Sequence, residues 1–140
     1  MALPGSRTDG HAFVAAARHA GAAAALVARP VEDPLPQWQV EDPAATLARL
    51  GAWVRAQVGA TVVAVTGSNG KTTVKEMIAA ILRQGDETLA TAGNLNNELG
   101  VPLTLCRLTP GHRYAVIEMG ANRRGDRADW RRWRRRTWAW

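Results

Sequence analysis

The residues best suited to chemistry lie in one run of eight, Thr66-Gly67-Ser68-Asn69-Gly70-Lys71-Thr72-Thr73, directly behind the β-branched stretch Ala60-Thr61-Val62-Val63-Ala64-Val65. A strand, a tight glycine loop and a helix start form an anion site by geometry. The first amides of a helix have no partner in the helix, and its dipole adds positive potential. Gly67 and Gly70 permit close approach and unusual dihedrals. Lys71 is placed to reach the β- and γ-phosphates of a nucleotide, and the hydroxyl of Thr72 to ligate Mg²⁺. The loop is a variant of the usual phosphate-binding pattern. Two residues separate its glycines where four are usual, and Val65 stands where the first glycine would be. The plain alternative is a strand, turn and helix with an incidental lysine.

A second candidate is Glu118, which follows Tyr114-Ala115-Val116-Ile117. In open α/β sheets ligands bind outside the carboxyl ends of the strands. An acid there can ligate Mg²⁺ or hold a metal-bound water, or it can be a solvated strand terminus. A third is the amide-rich loop with Asn94, Asn96 and Asn97, which suits phosphate or substrate groups and equally suits local turn caps. His11, His19 and His112 have no metal-ligand spacing and read as surface or capping residues. Cys106, in Pro-Leu-Thr-Leu-Cys-Arg-Leu, reads as a buried inert thiol.

These groups need elements to position them. Residues 10–22 read as a short helix stopped by Gly21, residues 23–27 as a buried strand, and Trp38-Gln39-Val40 as a short strand beyond a Pro-rich connector. Asp42-Pro43 is a strong helix start, and Leu47, Leu50, Trp53 (or Val54) and Val58 follow at helical spacing. The run ending at Val65 reads as a parallel strand buried on both faces. The helix after Gly70 carries Val74, Met77, Ile78, Ile81 and Leu82, which predict its apolar face. Residues 87–90 predict a short strand, the region after Glu98 a helix, and residues 113–120 a second buried strand. Strands alternating with helices indicate an α/β fold with a mainly parallel sheet.

Composition narrows the class. One cysteine excludes an internal disulfide framework and fits a reducing compartment. With no signal-peptide pattern and no apolar stretch long enough to span a bilayer, a soluble cytoplasmic protein, without membrane insertion, is expected. The net charge of +6 misleads, because residues 121–140 hold eight arginines against Asp126 and Asp129. Four of the six tryptophans lie there too. That tail has no apolar helical stripe. A basic segment for nucleic acid or anionic membranes is one reading. The preferred one is an out-of-frame translation: a GC-rich run encoding Leu-Ala-Ala-Leu-Ala, read one base later, gives Trp-Arg-Arg-Trp-Arg, as at residues 130–134. The same shift turns Asp-Val-Gly-Val into Thr-Trp-Ala-Trp, as at residues 137–140. The tail is therefore expected to be disordered or non-native. Met1, likewise, is read as a GTG codon for valine within a longer strand.

The three stretches from Val62 to Leu82, Thr91 to Leu108 and Tyr114 to Asn122 together resemble the Mur ligase family, and the segment from Thr8 to Val27 resembles the end of that family's substrate domain. The likeness is strongest to the branch that joins D-alanyl-D-alanine to UDP-N-acetylmuramoyl-tripeptide; other amino-acid-adding branches share the loop and Glu118. The resemblance implies ATP and Mg²⁺ as cofactors, phosphorylation of the substrate carboxylate, and attack on the acyl phosphate by the incoming amine. It implies that Lys71 stabilises the transferred phosphoryl group, that Thr72 ligates one Mg²⁺ and Glu118 a second, and that Asn94 and Asn97 line the substrate side. It divides the chain into residues 1–41, the end of a UDP-substrate domain; residues 42–122, the first part of a P-loop ATPase domain; and the tail 123–140. Family members have three domains, so this chain alone is expected to be inactive. A monomer that binds no nucleic acid is expected.

Overall fold

The structure, a computed structural model, describes residues 1–3, 5, 8–120 and 137–139. It divides into two compact units, Met1–Leu47 and Ala48–Trp140, with the division inside a helix a few residues beyond the proline-marked start expected for it.

The first unit begins with a 3₁₀ turn, Gly10–Phe13, which runs into α1, Val14–His19. Gly21 adopts φ 90°, a left-handed conformation that favours glycine, and ends the helix as its sequence position predicts. Strands β1 (Ala25–Val27) and β2 (Gln37–Gln39) pair in parallel. Ala2, Val14, Ala25, Val27 and Leu35 make a small core. His11, expected at the surface or as a cap, is buried and does both jobs of a structural pin. Its Nε2 accepts the N–H of Ala28 at 3.0 Å and of Arg29 at 3.3 Å, while Nδ1 lies 2.6 Å from Asp9.

Helix α2 is Pro43–Gln57. Its start is the one the sequence specifies: Asp42 Oδ1 accepts the N–H groups of Ala44 and Ala45 at 2.8 and 3.0 Å.

In the second unit, β3 (Thr61–Val65), β4 (Thr88–Ala90), β5 (Tyr114–Glu118) and β6 (Thr137–Ala139) form one parallel sheet in the order β4-β5-β3-β6. Between them come α3 (Lys71–Leu82) and α4 (Gly100–Leu105). β5 carries no exposed residue and its last four residues are fully buried, as a continuous apolar strand requires. One side of the sheet packs Val62, Ala64, Ala115 and Ile117 with Val101, Leu105 and Leu108; Val54 and Val58 of the α2 end join them. Trp53, offered with Val54 as the inward residue, is 61% exposed. On the other side Val65 and Val116 meet Ala79, with Ile78, Leu82 and Ala90.

One difference from the sequence reading concerns α3. α3 buries Lys75 and Ala79, while Val74, Met77 (61% exposed) and Ile81 (66% exposed) face outward. The helix carries two apolar stripes, and the strand ends select the one containing Ile78 and Leu82. Of the tail, expected to be disordered or non-native, only Thr137–Ala139 is described, and it pairs in parallel with Val62–Ala64. Strand pairing is made by main-chain groups, so an open edge of β3 accepts almost any extended segment. The rest of the tail, with its arginine clusters, lies outside the described residues. No helix among the described residues is long and apolar enough to cross a membrane.

Candidate nucleotide-phosphate site

The site forms where β3 and β5 end side by side. Their register pairs Val65 with Glu118, so the acid stands beside the residue that launches the glycine loop. The Met119 N–H donates to the Val65 carbonyl at 2.9 Å, which extends that pairing by one residue.

The loop then turns through Gly70, whose φ of 73° and ψ of 0° are left-handed. A side chain there would be strained, which explains a glycine immediately before the helix. Ser68, Asn69 and Gly70 are exposed. The first main-chain bond of α3 runs from the Val74 N–H to the Gly70 carbonyl at 3.0 Å, so the amides of Lys71, Thr72 and Thr73 precede the helical ladder. The Lys71 ammonium folds back and donates to the Gly67 carbonyl at 2.7 Å.

Glu118 is 2% exposed, and both its carboxylate oxygens are engaged. The Thr72 hydroxyl donates to Oε2 at 2.9 Å, and the Asn96 side-chain amide donates to Oε1 at 2.8 Å. Its own N–H donates to the Thr91 hydroxyl at 2.9 Å. Asn96 is fixed in turn, because its carbonyl accepts the Gly120 N–H at 2.7 Å. The carboxylate is thus aimed at the helix start rather than at open solvent.

The residues singled out in the sequence therefore assemble unevenly. Gly67, Gly70, Lys71, Thr72 and Glu118 converge. Ser68, Asn69 and Thr73 complete the loop and helix start. Asn97 turns elsewhere: its Oδ1 accepts the N–H groups of Leu99 and Gly100 at 3.2 and 2.8 Å, an N-terminal cap for α4. Asn94 is exposed, and its carbonyl accepts the Asn96 N–H at 2.7 Å. The amide that reaches the acid is Asn96. Three amides in four positions gave no means of ranking them. Thr91 and Lys75 also escaped notice, since neither belongs to a recognisable motif. His19 is exposed, His112 Nδ1 accepts the Thr109 N–H at 3.1 Å, and Cys106 is half-buried, with burial pushing its thiol pKa up.

The donor set suits a hard cation held jointly with a nucleotide. A threonine hydroxyl and a carboxylate oxygen, 2.9 Å apart, offer two oxygen ligands on one side. Among the described residues no cluster of three or more His, Cys, Asp or Glu side chains could hold a metal by itself. The hydroxyl–carboxylate pair fits Mg²⁺, which keeps several waters and commonly shares its sphere with one or two protein oxygens and substrate phosphates.

Comparison with known proteins agrees with the geometry. Residues 65–133 match the Mur ligase middle domain. The UDP-N-acetylmuramoyl-tripeptide–D-alanyl-D-alanine ligase of Escherichia coli is 58% identical over 126 residues, covering 90% of this chain and 28% of that protein. A crystal structure of MurF from Acinetobacter baumannii superposes with a TM-score of 0.81 at 48% identity, covering 89% of this chain and 28% of that one. MurF from Thermotoga maritima, solved in complex with ADP, gives a TM-score of 0.77 at 39% identity, covering 91% of this chain and 30% of its own. The chain spans less than a third of the length of these relatives. Over residues 65–133 the chain thus matches the middle domain of the Mur ligase family, and over about nine-tenths of its length it is similar to one segment of MurF ligases.

Proposed function

We propose that this chain supplies the phosphate- and metal-binding corner of an ATP-dependent ligase that joins D-alanyl-D-alanine to UDP-N-acetylmuramoyl-tripeptide in peptidoglycan synthesis. The observation that carries the proposal is the contact between Thr72 and Glu118 at the mouth of the loop that holds Lys71. The names of the relatives supply the substrates, and the ADP complex of one of them favours a nucleotide at the loop.

In this reading the amides of Gly70 to Thr73 receive phosphate oxygens. Lys71 exchanges the Gly67 carbonyl for a phosphate oxygen and opposes the charge that develops on the transferring phosphoryl group. Thr72 and Glu118 are the protein ligands for Mg²⁺, which when bound neutralises phosphate charge. Asn96 holds the second oxygen of Glu118, so the carboxylate keeps its direction when Thr72 changes partner. The reacting carboxylate and amine belong to the two substrates, and this chain, which spans less than a third of its relatives' length, is expected to form no peptide product alone.

Calorimetric titration of the chain with ADP, with and without Mg²⁺, tests the reading. Binding should strengthen with Mg²⁺, and Lys71→Met should weaken it about tenfold or more, the scale of a lost charge-assisted contact. Equal affinity of the wild type and Lys71→Met, or no binding by either, would remove the loop from the proposal.

A further inference from the structure

Lys75 lies one turn beyond Lys71 on α3 and is only 1% exposed. Burying an ammonium is costly unless it is paired and hydrogen-bonded. Its partners are few. Nζ donates to the Thr91 carbonyl at 2.8 Å and pairs with Glu76 Oε1 at 2.6 Å. Glu76 is more than half exposed, and Lys75 holds its carboxyl below the ordinary value.

Thr91 is equally buried and is bound on three sides. Its carbonyl takes Lys75, its N–H donates to the Val116 carbonyl at 3.0 Å, and its hydroxyl accepts the Glu118 N–H at 2.9 Å. Thr91 directly follows β4, and Glu118 ends β5. The ammonium on α3 thereby ties down the residue whose hydroxyl accepts the main-chain N–H of the site's acid. The phosphate loop and the acid come from different segments, and Lys75 joins the helix of the first to the strand end of the second.

We infer that Lys75 is a positioning residue for Glu118, acting through Thr91: it fixes the end of β5 so that the carboxylate meets Thr72. The inference rests on the reading of Glu118 as a metal ligand only for its consequence in nucleotide binding. The positioning itself can be read without nucleotide.

The test is amide hydrogen exchange at Glu118 relative to Ala115, within the same strand, in the full 140-residue chain. Lys75→Met, which keeps most of the stem, and Thr91→Val should each speed exchange at Glu118 by about tenfold relative to Ala115, the scale of one lost buried hydrogen bond. Thr91→Ser should restore protection. In parallel, Lys75→Met should lose the Mg²⁺-dependent part of ADP affinity while retaining the Mg²⁺-free part. Lys75→Gln replaces Lys75→Met if the latter does not fold, with the same expected readings. Exchange at Glu118 unchanged, or rising together with Ala115, would overturn the inference, as would a wild-type Glu118 amide with no protection. If wild type binds no ADP, the nucleotide proposal falls while the exchange data still decide the role of Lys75.

Discussion

The hydroxyl of Thr72 and the carboxylate of Glu118 lie 46 residues apart in sequence and meet at 2.9 Å. One belongs to the first turn of α3, the other to the last position of β5, and the Val65–Glu118 register brings those two ends together. Thr72→Val should therefore reduce the Mg²⁺ dependence of ADP binding with little loss of Mg²⁺-free affinity. The cost to folding should be about 0.5–1.5 kcal/mol, a single hydrogen bond at a partly buried site. Calorimetry and denaturant unfolding read the two effects separately.

Asn96 and Asn97 are neighbours with different duties. Asn97→Ala should destabilise the chain by about 1 kcal/mol, as loss of a helix cap does, and leave nucleotide affinity unchanged. Asn96→Ala should weaken Mg²⁺-dependent binding, because Glu118 Oε1 loses its donor. Thermal melts paired with ADP titrations distinguish the two; identical behaviour of both variants would contradict the assignment.

Gly51 lets α2 approach α4 closely. A Cβ at this position would stand 3.0 Å from both the Cα and the carbonyl oxygen of Pro102, and main-chain atoms cannot swing aside as a flexible side chain can. Gly51→Ala should cost about 1–3 kcal/mol from overpacking, despite the better helix propensity of alanine. Urea unfolding measures this directly.

Asp9 has its carboxyl lowered to about 2, first by the His11 amide, then by the His11 ring and the Arg29 guanidinium. A folded pKa below the unfolded one means that the group binds fewer protons in the folded state. Its contribution is then present above the ordinary aspartate value and lost as pH falls toward 2. Asp9→Asn should flatten the acid side of the stability profile in that window and change it little at neutral pH beyond a constant offset. Unfolding midpoints collected from pH 2 to pH 6 test the slope.

The out-of-frame proposal for residues 123–140 is decided by the coding DNA. A single-base shift near codon 122 should restore a Leu/Ala-rich helix followed by a strand. If no such shift does, the arginine-rich tail is the true sequence of this chain.

Much of the site was legible because its signals are local. Continuous β-branched or apolar runs marked β3 and β5, a glycine pair with a lysine marked the loop, and Asp42-Pro43 fixed the start of α2 through one side-chain acceptor. What escaped depends on how segments meet. Lys75 looks like a surface lysine until the strand ends are placed against its turn of α3. Val74, Met77 and Ile81 have the same periodicity as Ile78 and Leu82, so spacing alone could not choose the inward stripe. Trp53 and Val54 are adjacent on α2, and only the sheet beneath selects the smaller one. The three asparagines differ solely in what the fold sets in front of them.

Lys71 resting on the Gly67 carbonyl has a kinetic consequence. To engage a nucleotide, the ammonium has only to trade one oxygen for another by turning about its own methylene bonds, a motion of nanoseconds or faster for an accessible side chain. The trade itself flips no peptide group, so, for the nucleotide site proposed above, the Lys71 step should be limited by how fast nucleotide arrives.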